Sequence, residues 1–507
     1  MTERMRGADA GFLYMETPSM HMHTLKIAVI DPSPDMTFDN LVVAMLYRLR
    51  RLPPLRRRIV PVPLALNHPV VVTQRRLDPD RHFFRHDLRA DVRSERTPGD
   101  AATVVPGAAE PTMADFEQLV GQIASSPLDR SVPLWELHVV EGLPGGRMGV
   151  VGKIHHALAD GIAANALLAN VMDIRSAGPR TDVVVDRIED HEEPGRLRLA
   201  LEGLRDAALQ LLILPGLILA TVRAVVAMLR YRRRHASGVP VPIKDAPRTS
   251  FNGPLTPRRS FATVTLGLAE MKAVRTRYPD AGPLTLNDVV LAVISGGLRR
   301  WLTAHGESPR GSLIAGVPVG LDARDSDPRL MGNNVSNLFT TLATDVDDPA
   351  ERLQAIATSA KHAKVMNQTL GSSLVDWGQF TPPSLVPLLL RTYSRLGWAR
   401  YHPAPFSAIV SNVPGPRERV KIGGAHLADV FSVGPLVEGI GLNVTVWSYV
   451  DRMNFSLLAC PDLLPDVERL ASYLPAALAE LLGEPDGGEE TGDHAAAQSD
   501  ERSGESA

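Results

Sequence analysis

Residues 24–30, TLKIAVI, form a run of aliphatic and β-branched side chains. After the turn-forming DPSPD, the segment 38–52, FDNLVVAMLYRLRRL, places apolar residues at helical spacing. The chain is thus predicted to open as strand, loop and helix. Further on, LWELHVVEGL (134–143) and MGVVGKI (148–154) flank PGGR, whose proline and glycines suit a tight turn, so a pair of antiparallel strands is expected. Pro133, Leu134 and Trp135 read best as the start of a core strand. The second strand of the pair ends on His155 and His156, and the apolar spacing of IAANALLANVMDI (162–174) predicts a helix capped by Asp160.

From about 178 to 197 the pattern is charged and aperiodic, as in an exposed linker. The stretch 198–238 is strongly apolar, interrupted by Pro215 and Gly216, and closed by Arg230, Arg232, Arg233 and Arg234. Its uninterrupted run falls short of the roughly 20 apolar residues of a membrane span. Two expectations remain: a helical hairpin lying in a lipid interface, or helices packed on the protein with a solvated basic end. Beyond 246, strand patterns (SFATVTLGL, SLIAGVPVGL, NFSLLAC) alternate with helix patterns (LNDVVLAVISGGLRRWLTAHG, PAERLQAIATSAKHAKVMN), which implies an α/β or α+β layer. Asn287 and Asp288 stand where a helix cap belongs, and SNVPGP (411–416) has the density of a rigid turn, with Ser411 and Asn412 able to line a channel. The division reads as 1–177, a connection at 178–245, 246–483, and an acidic tail at 484–507 that is expected to be disordered.

Composition narrows the class. With 507 residues, 44% hydrophobic and 22% charged, the chain can bury a large core in more than one unit. A net charge of -3 gives no general reason to expect a nucleic acid as partner. The single cysteine, Cys460, forms no intramolecular disulfide and builds no cysteine zinc site, so a reducing, cytoplasmic setting is expected. The N-terminus lacks a signal-peptide apolar core and is expected to be retained.

The candidate chemistry lies in GKIHHALADGIA (152–163). Neighbouring side chains on a strand point to opposite faces, which argues against His155 and His156 sharing one metal ion, and no cysteine lies nearby to complete a ligand set. Two ordinary histidines before a capped helix remain one reading. In the other, one imidazole faces a cleft and takes a proton from a bound hydroxyl or amine while its neighbour packs inward; Asp160 holds the loop and Gly161 lets the chain enter the helix. No serine or cysteine stands in an elbow motif, which favours direct attack by the acceptor over a covalent intermediate.

His155, His156, Ala157, Leu158, Ala159, Asp160 and Gly161 spell HHxxxDG, which resembles the motif of acyltransferases related to chloramphenicol acetyltransferase and to peptide-synthetase condensation domains. The blocks SPLDRSVPLWELHVVEGLPGGR, LNDVVLAVISGGLRRWL, VPVGLDAR, GNNVSNLFTTLATDVDDPAERL, SNVPGP and GLNVTVWSYVDRMNFSLL are similar, in this order, to those of the bacterial wax ester synthase/diacylglycerol acyltransferase family, the mycobacterial triacylglycerol synthases in particular.

That resemblance implies two halves like chloramphenicol acetyltransferase, each a mixed sheet with helices, enclosing a tunnel. It implies His156 as catalytic base, with His155 and Asp160 in support and Gly161 completing the motif; Arg324 is a candidate partner for Asp160. Gly332, Asn333, Asn334 and Ser336 offer polar contacts for a thioester, but are expected chiefly to stabilise their own loop. The implied reaction moves a fatty acyl group from acyl-CoA, as cosubstrate and without metal or other cofactor, to diacylglycerol or a long-chain alcohol. The implied setting is the inner leaflet of the cell membrane or a lipid-droplet surface. Alternatives are another hydroxyl acceptor, a carrier-protein donor, or a lipid-droplet-binding protein without catalysis.

Overall fold

The structure, a computed structural model, describes the chain except for residues 1–2, 35, 50–51, 75, 91–109, 162, 165–166, 168–193, 235–239, 280–281, 323–328, 371–376, 423 and 485–507. Most of the expected linker, much of the helix after the motif, and nearly all of the acidic tail therefore lie outside the described residues.

Strand β1 (Glu3–Arg4) is followed by helix α1 (Gly7–Met15), β2 (His23–Ile30), α2 (Phe38–Leu49), β3 (Arg57–Val60), β4 (Val70–Thr73) and β5 (Phe83–Asp87). Helix α3 (Met113–Ser125) begins in a capping box between Thr112 and Asp115 and precedes β6 (Trp135–Glu141) and β7 (Met148–His155). The predicted hairpin is β6 and β7, which pair antiparallel from Trp135↔Ile154 to Val140↔Gly149. A Cβ at Gly149 would stand 2.6 Å from the Phe116 ring, so the bare glycine lets α3 lie close on the sheet.

Next comes α4 (Arg196–Arg234), then β8 (Ser260–Gly267), α5 (Leu268–Arg277), α6 (Leu286–Ala304), β9 (Ile314–Gly320), β10 (Val335–Thr341) and α7 (Pro349–Leu370). The chain closes with α8 (Leu385–Arg395), β11 (Ala408–Val413), β12 (Lys421–Ile422), β13 (Ala425–Val433), β14 (Leu442–Tyr449), β15 (Arg452–Ala459) and α9 (Val467–Leu482). Of the two residues expected to cap α6, Asp288 does so in a capping box with Thr285, each bonding the other's backbone N–H, while Asn287 lies within the helix.

Two six-stranded mixed sheets result, ordered β12-β13-β2-β7-β6-β5 and β10-β9-β11-β14-β15-β8, with a small sheet β1-β4-β3 beside them. This is the expected mixed architecture, but the sheets do not follow the chain's midpoint. Strand β13 leaves the second half and pairs with β2 from Val433↔Leu25 to Leu427↔Ile30, so the first sheet is completed by the second half. The core of the second half is continuous around α6, with Val289, Val293, Trp301, Phe455 and Leu474 essentially excluded from solvent.

Helix α4 differs from the expected hairpin. It runs for 39 residues through Pro215. Proline removes one intrahelical bond and crowds the carbonyl of residue 211, at a cost of about 3 kcal/mol. The helix is tied down by the buried Leu199 and Gly203, by Arg4–Asp206 at 2.7 Å, and by Trp377 Nε1 donating to Thr221 Oγ1 at 2.8 Å. Farther on, Tyr231 Oη lies 2.7 Å from His362 Nδ1. Only 6% of its most apolar window is buried, leaving Leu212, Ile213, Leu219 and Val222 facing out.

Candidate functional site

The motif sits at the end of β7, where His155 pairs across from His23 and the His156 N–H donates to Met22 O at 2.8 Å. Strand alternation then sends the two rings apart, as expected.

His155 points inward and is 1% exposed. Its Nδ1 accepts from the Ala157 N–H at 3.0 Å, which places the ring proton on Nε2, facing Glu16 Oε2 at 3.3 Å. Glu16 is in turn held by Arg130, whose Nε donates to Oε2 at 2.9 Å. Burial holds the His155 pKa below the ordinary imidazole value, against the opposing pull of Glu16.

His156 lies deep in the protein but keeps part of its surface accessible. Phe12 of α1 stacks on one face, with centroids 4.1 Å apart and planes at 14°. Its Nδ1 stands 2.8 Å from Asn333 Oδ1. The rest of the network fixes which atom donates. Asn333 Nδ2 is 2.7 Å from the His156 carbonyl and 2.9 Å from Asp9 Oδ1, both acceptors, and the Asn333 N–H also reaches Asp9 Oδ1 at 2.6 Å. The amide nitrogen must occupy that side, so Oδ1 faces the ring and His156 Nδ1 must carry the proton. Nε2 is left as the basic lone pair, with no hydrogen bond from another described residue. Burial pushes the His156 pKa down to about 4, with Asn333 and Asp160 opposing it, so the ring is neutral at pH 7 and able to accept a proton.

Asp160 is wholly buried and does two jobs. Oδ1 accepts from the Ala163 N–H at 2.9 Å, the predicted helix cap, while Oδ2 accepts from Arg329 Nη2 at 2.7 Å and from the Asn334 N–H at 2.9 Å. Arg324, the partner suggested by sequence, lies outside the described residues; Arg329 takes that place. Arg329 also bonds Asp322 through Nε at 2.8 Å and reaches the Gly332 carbonyl at 2.8 Å. A parallel bridge between Ala159 and Gly332 completes the seam, so the motif loop and segment 329–334 are one joint between the halves.

Gly161 has a plainer place than expected. A Cβ there would meet no atom of the described residues within 4 Å, and its φ is not left-handed, so packing against those residues does not demand glycine. Trp135 begins β6 as predicted, its Nε1 donating to Leu55 O at 2.6 Å. Asn333 does more than stabilise its own loop, since it bonds the His156 ring directly, whereas Ser336 turns away to Asn367 at 2.6 Å. Ser411 and Asn412 lie in β11, paired with β14. Sequence reasoning missed Asp9, Phe12, Glu16, Arg130 and Arg329. The one available signal was an aspartate and a glutamate in the otherwise apolar GADAGFLYMETP (7–18). Among the described residues, no group of three or more His, Cys, Asp or Glu side chains is arranged to hold a metal ion.

The chain is similar to proteins of one acyltransferase family. The sequence profile described as wax ester synthase/diacylglycerol acyltransferase catalytic domain matches residues 5–96 and 103–290, and that of the WS/DGAT C-terminal domain matches 331–482. Two Mycobacterium tuberculosis H37Rv proteins, named as candidate diacylglycerol O-acyltransferases, are similar. One is 36% identical over 484 residues, covering 94% of this chain and 96% of its own. The other is 33% identical over 488 residues, covering 95% and 90%. Among solved structures, the wax ester synthase/diacylglycerol acyltransferase from Marinobacter aquaeolei VT8 shares the fold with a TM-score of 0.63 at 24% identity, over 94% of this chain and 98% of that one. The first condensation domain of the CDA synthetase superposes with a TM-score of 0.52 at 16% identity, over 94% and 96%.

Proposed function

This chain belongs to the wax ester synthase/diacylglycerol acyltransferase family and is an acyltransferase, and from that premise we propose that it transfers a fatty acyl group from acyl-CoA to the free hydroxyl of diacylglycerol, with His156 as general base. The observation that carries the assignment is the His156 ring: accessible, neutral, and locked so that Nε2 alone offers a lone pair. The hydroxyl proton passes to Nε2 as the oxygen attacks the thioester carbonyl. The new C–O bond forms, the C–S bond breaks, and the imidazolium returns the proton to the departing CoA thiolate. Atoms and charges balance without metal or redox cofactor. Phe12 keeps water from one ring face, and Asn333 holds the ring at the angle it must keep through both proton transfers.

His155, Glu16 and Arg130 are positioning residues in this scheme, as is Asp160 through Arg329. A long-chain alcohol presents the same hydroxyl and would be a second acceptor. CoA release by wild type and His156→Ala, given palmitoyl-CoA with dioleoylglycerol or hexadecanol, tests the scheme. Removal of a general base should lower turnover by about 10²- to 10⁴-fold. Equal turnover in the variant removes His156 from the role, and turnover only with an acyl carrier protein as donor removes acyl-CoA.

We further propose that α4 lies on the cytoplasmic face of a membrane or on a lipid droplet. Support comes from its exposed Leu212, Ile213 and Leu219 and from its arginine-rich end, since each cation near an anionic surface contributes about 1 kcal/mol. Leu212→Glu with Leu219→Glu should release the protein from anionic vesicles; unchanged co-sedimentation refutes the placement.

A further inference from the structure

A cavity of about 490 Å³ lies between α1, the β3–β4 corner and α8. It is within the ordinary range of ligand pockets, roughly 300–1,000 Å³. Its floor is apolar and buried: Leu13 is 5% exposed and Leu134 2%. Ile59 forms one wall. Its mouth is different in character. Arg130 and Arg391 are both exposed there, and Leu388 of α8 projects beside them at 63% exposure. Arg391 has no ion-pair partner among the described residues, whereas Arg130 is the residue that clasps Glu16.

We propose that this cavity binds one long-chain fatty carboxylate, with the chain on the apolar floor and the carboxylate between Arg130 and Arg391. Three features select that ligand. Leu13, Leu134 and Ile59 provide apolar surface for methylene groups, while the polar atoms of the buried lining residues Asn67 and Tyr14 are engaged by Gly203 and His68. The cationic pair at the mouth favours an anion over an alcohol or a glyceride, because guanidinium groups bond carboxylate oxygens with matched geometry. The exposed apolar face of α8, with Leu385, Leu388 and Leu389, borders the opening and offers a path for a chain arriving from a lipid surface.

The site adjoins the histidine motif through shared residues. The Leu134 carbonyl accepts from the His155 N–H at 3.0 Å, and Arg130 holds the glutamate that faces the same ring. A carboxylate at the mouth competes with Glu16 for Arg130, so occupancy is sensed at His155. The ligand is distinct from both acyl-transfer substrates, and binding does not depend on turnover.

Titration of the purified full-length protein with palmitate and with hexadecanol, each kept below its aggregation limit, tests the assignment. Palmitate should bind saturably, one per chain, and hexadecanol at least about fivefold more weakly, as for a charge-assisted contact at a partly exposed mouth. Arg391→Ala should weaken palmitate by a similar factor and remove its advantage over hexadecanol. Ile59→Trp should cut palmitate affinity about tenfold or more by filling the wall, and Leu388→Trp, on an exposed helix position that folding tolerates, should narrow the mouth to the same effect. Equal affinity for the two amphiphiles, or palmitate binding indifferent to Arg391→Ala and to both tryptophans, overturns the proposal. Loss of acyl transfer in wild type with intact palmitate binding would instead strike the proposed function alone.

Discussion

Replacing Asn333 by alanine separates the orientation of the base from its presence. Alanine removes the acceptor at His156 Nδ1, 2.8 Å away, and the donor to the His156 carbonyl at 2.7 Å. It also ends the anchoring of the side-chain amide on Asp9. A buried polar group left without its partner costs about 1–3 kcal/mol. Here that penalty falls on the productive Nδ1–H tautomer, since the ring can move its proton to Nε2 and hide the orphaned nitrogen. With about 1.4 kcal/mol per factor of ten, kcat should fall by about 5- to 150-fold. In this scheme Asn333 acts on the ring and not on substrate, so KM should stay within about threefold. Steady-state CoA release gives both constants, and nitrogen chemical shifts of the labelled imidazole report the tautomer. Asp9→Asn keeps an oxygen at the Oδ1 position and should retain most activity, whereas Asp9→Leu should approach the Asn333→Ala rate. An Asn333→Ala enzyme with wild-type kcat, or one altered in KM alone, refutes the claim that Asn333 fixes the ring.

What the sequence made legible was local. The β6–β7 hairpin followed from strand-like runs on either side of a Pro-Gly turn, whereas of the α6 cap only Asp288 was singled out and Thr285, which closes the capping box, was not. The family resemblance added the two-sheet architecture and singled out HHxxxDG. The supporting contacts were not legible, because they join residues far apart in the chain. Asp9 and Asn333 are separated by 324 positions, Asp160 and Arg329 by 169, and no periodicity relates them. For the same reason the passage of β13 into the first sheet escaped a reading that divides the chain into consecutive halves: a strand's pattern records that it is half-buried, not which neighbour covers it. The expected break in α4 did not occur: proline costs a helix interior about 3 kcal/mol, but contacts on both sides of Pro215, at Leu199, Asp206 and Thr221, hold one helix across it. In each case the missing information was the identity of a distant partner.

Arg329→Met should destabilise the protein by about 3 kcal/mol or more, because it strands the fully buried Asp160 without its cation at the joint between the halves. Urea unfolding measures this, and a change under about 0.5 kcal/mol would show that the pair does not hold the joint. The acid limb of kcat/KM should lie well below the usual imidazole value of 6.5, toward about 4, because that limb reports the free enzyme's base; a limb at 6.5 that persists with different substrates argues against His156 in its buried setting. Burial likewise lowers His21 from 6.5 to about 4. Between those values the unfolded chain binds a proton that the folded chain refuses, so this histidine's contribution to stability, full above pH 6.5, is lost as pH falls toward about 4, by about 1.4 kcal/mol per pH unit within the window. Buried Asp9 and Glu438 and half-buried Glu117, with pKa values raised by desolvation, act in the opposite sense, so the total does not isolate one group. The difference between wild type and His21→Gln does isolate it, since the carboxylates are common to both. Glutamine cannot titrate, so the stability of wild type relative to the variant should be constant above pH 6.5 and decline below it; a difference that stays constant down to pH 4.5 would mean that His21 accepts its proton in the folded protein as readily as in the unfolded chain.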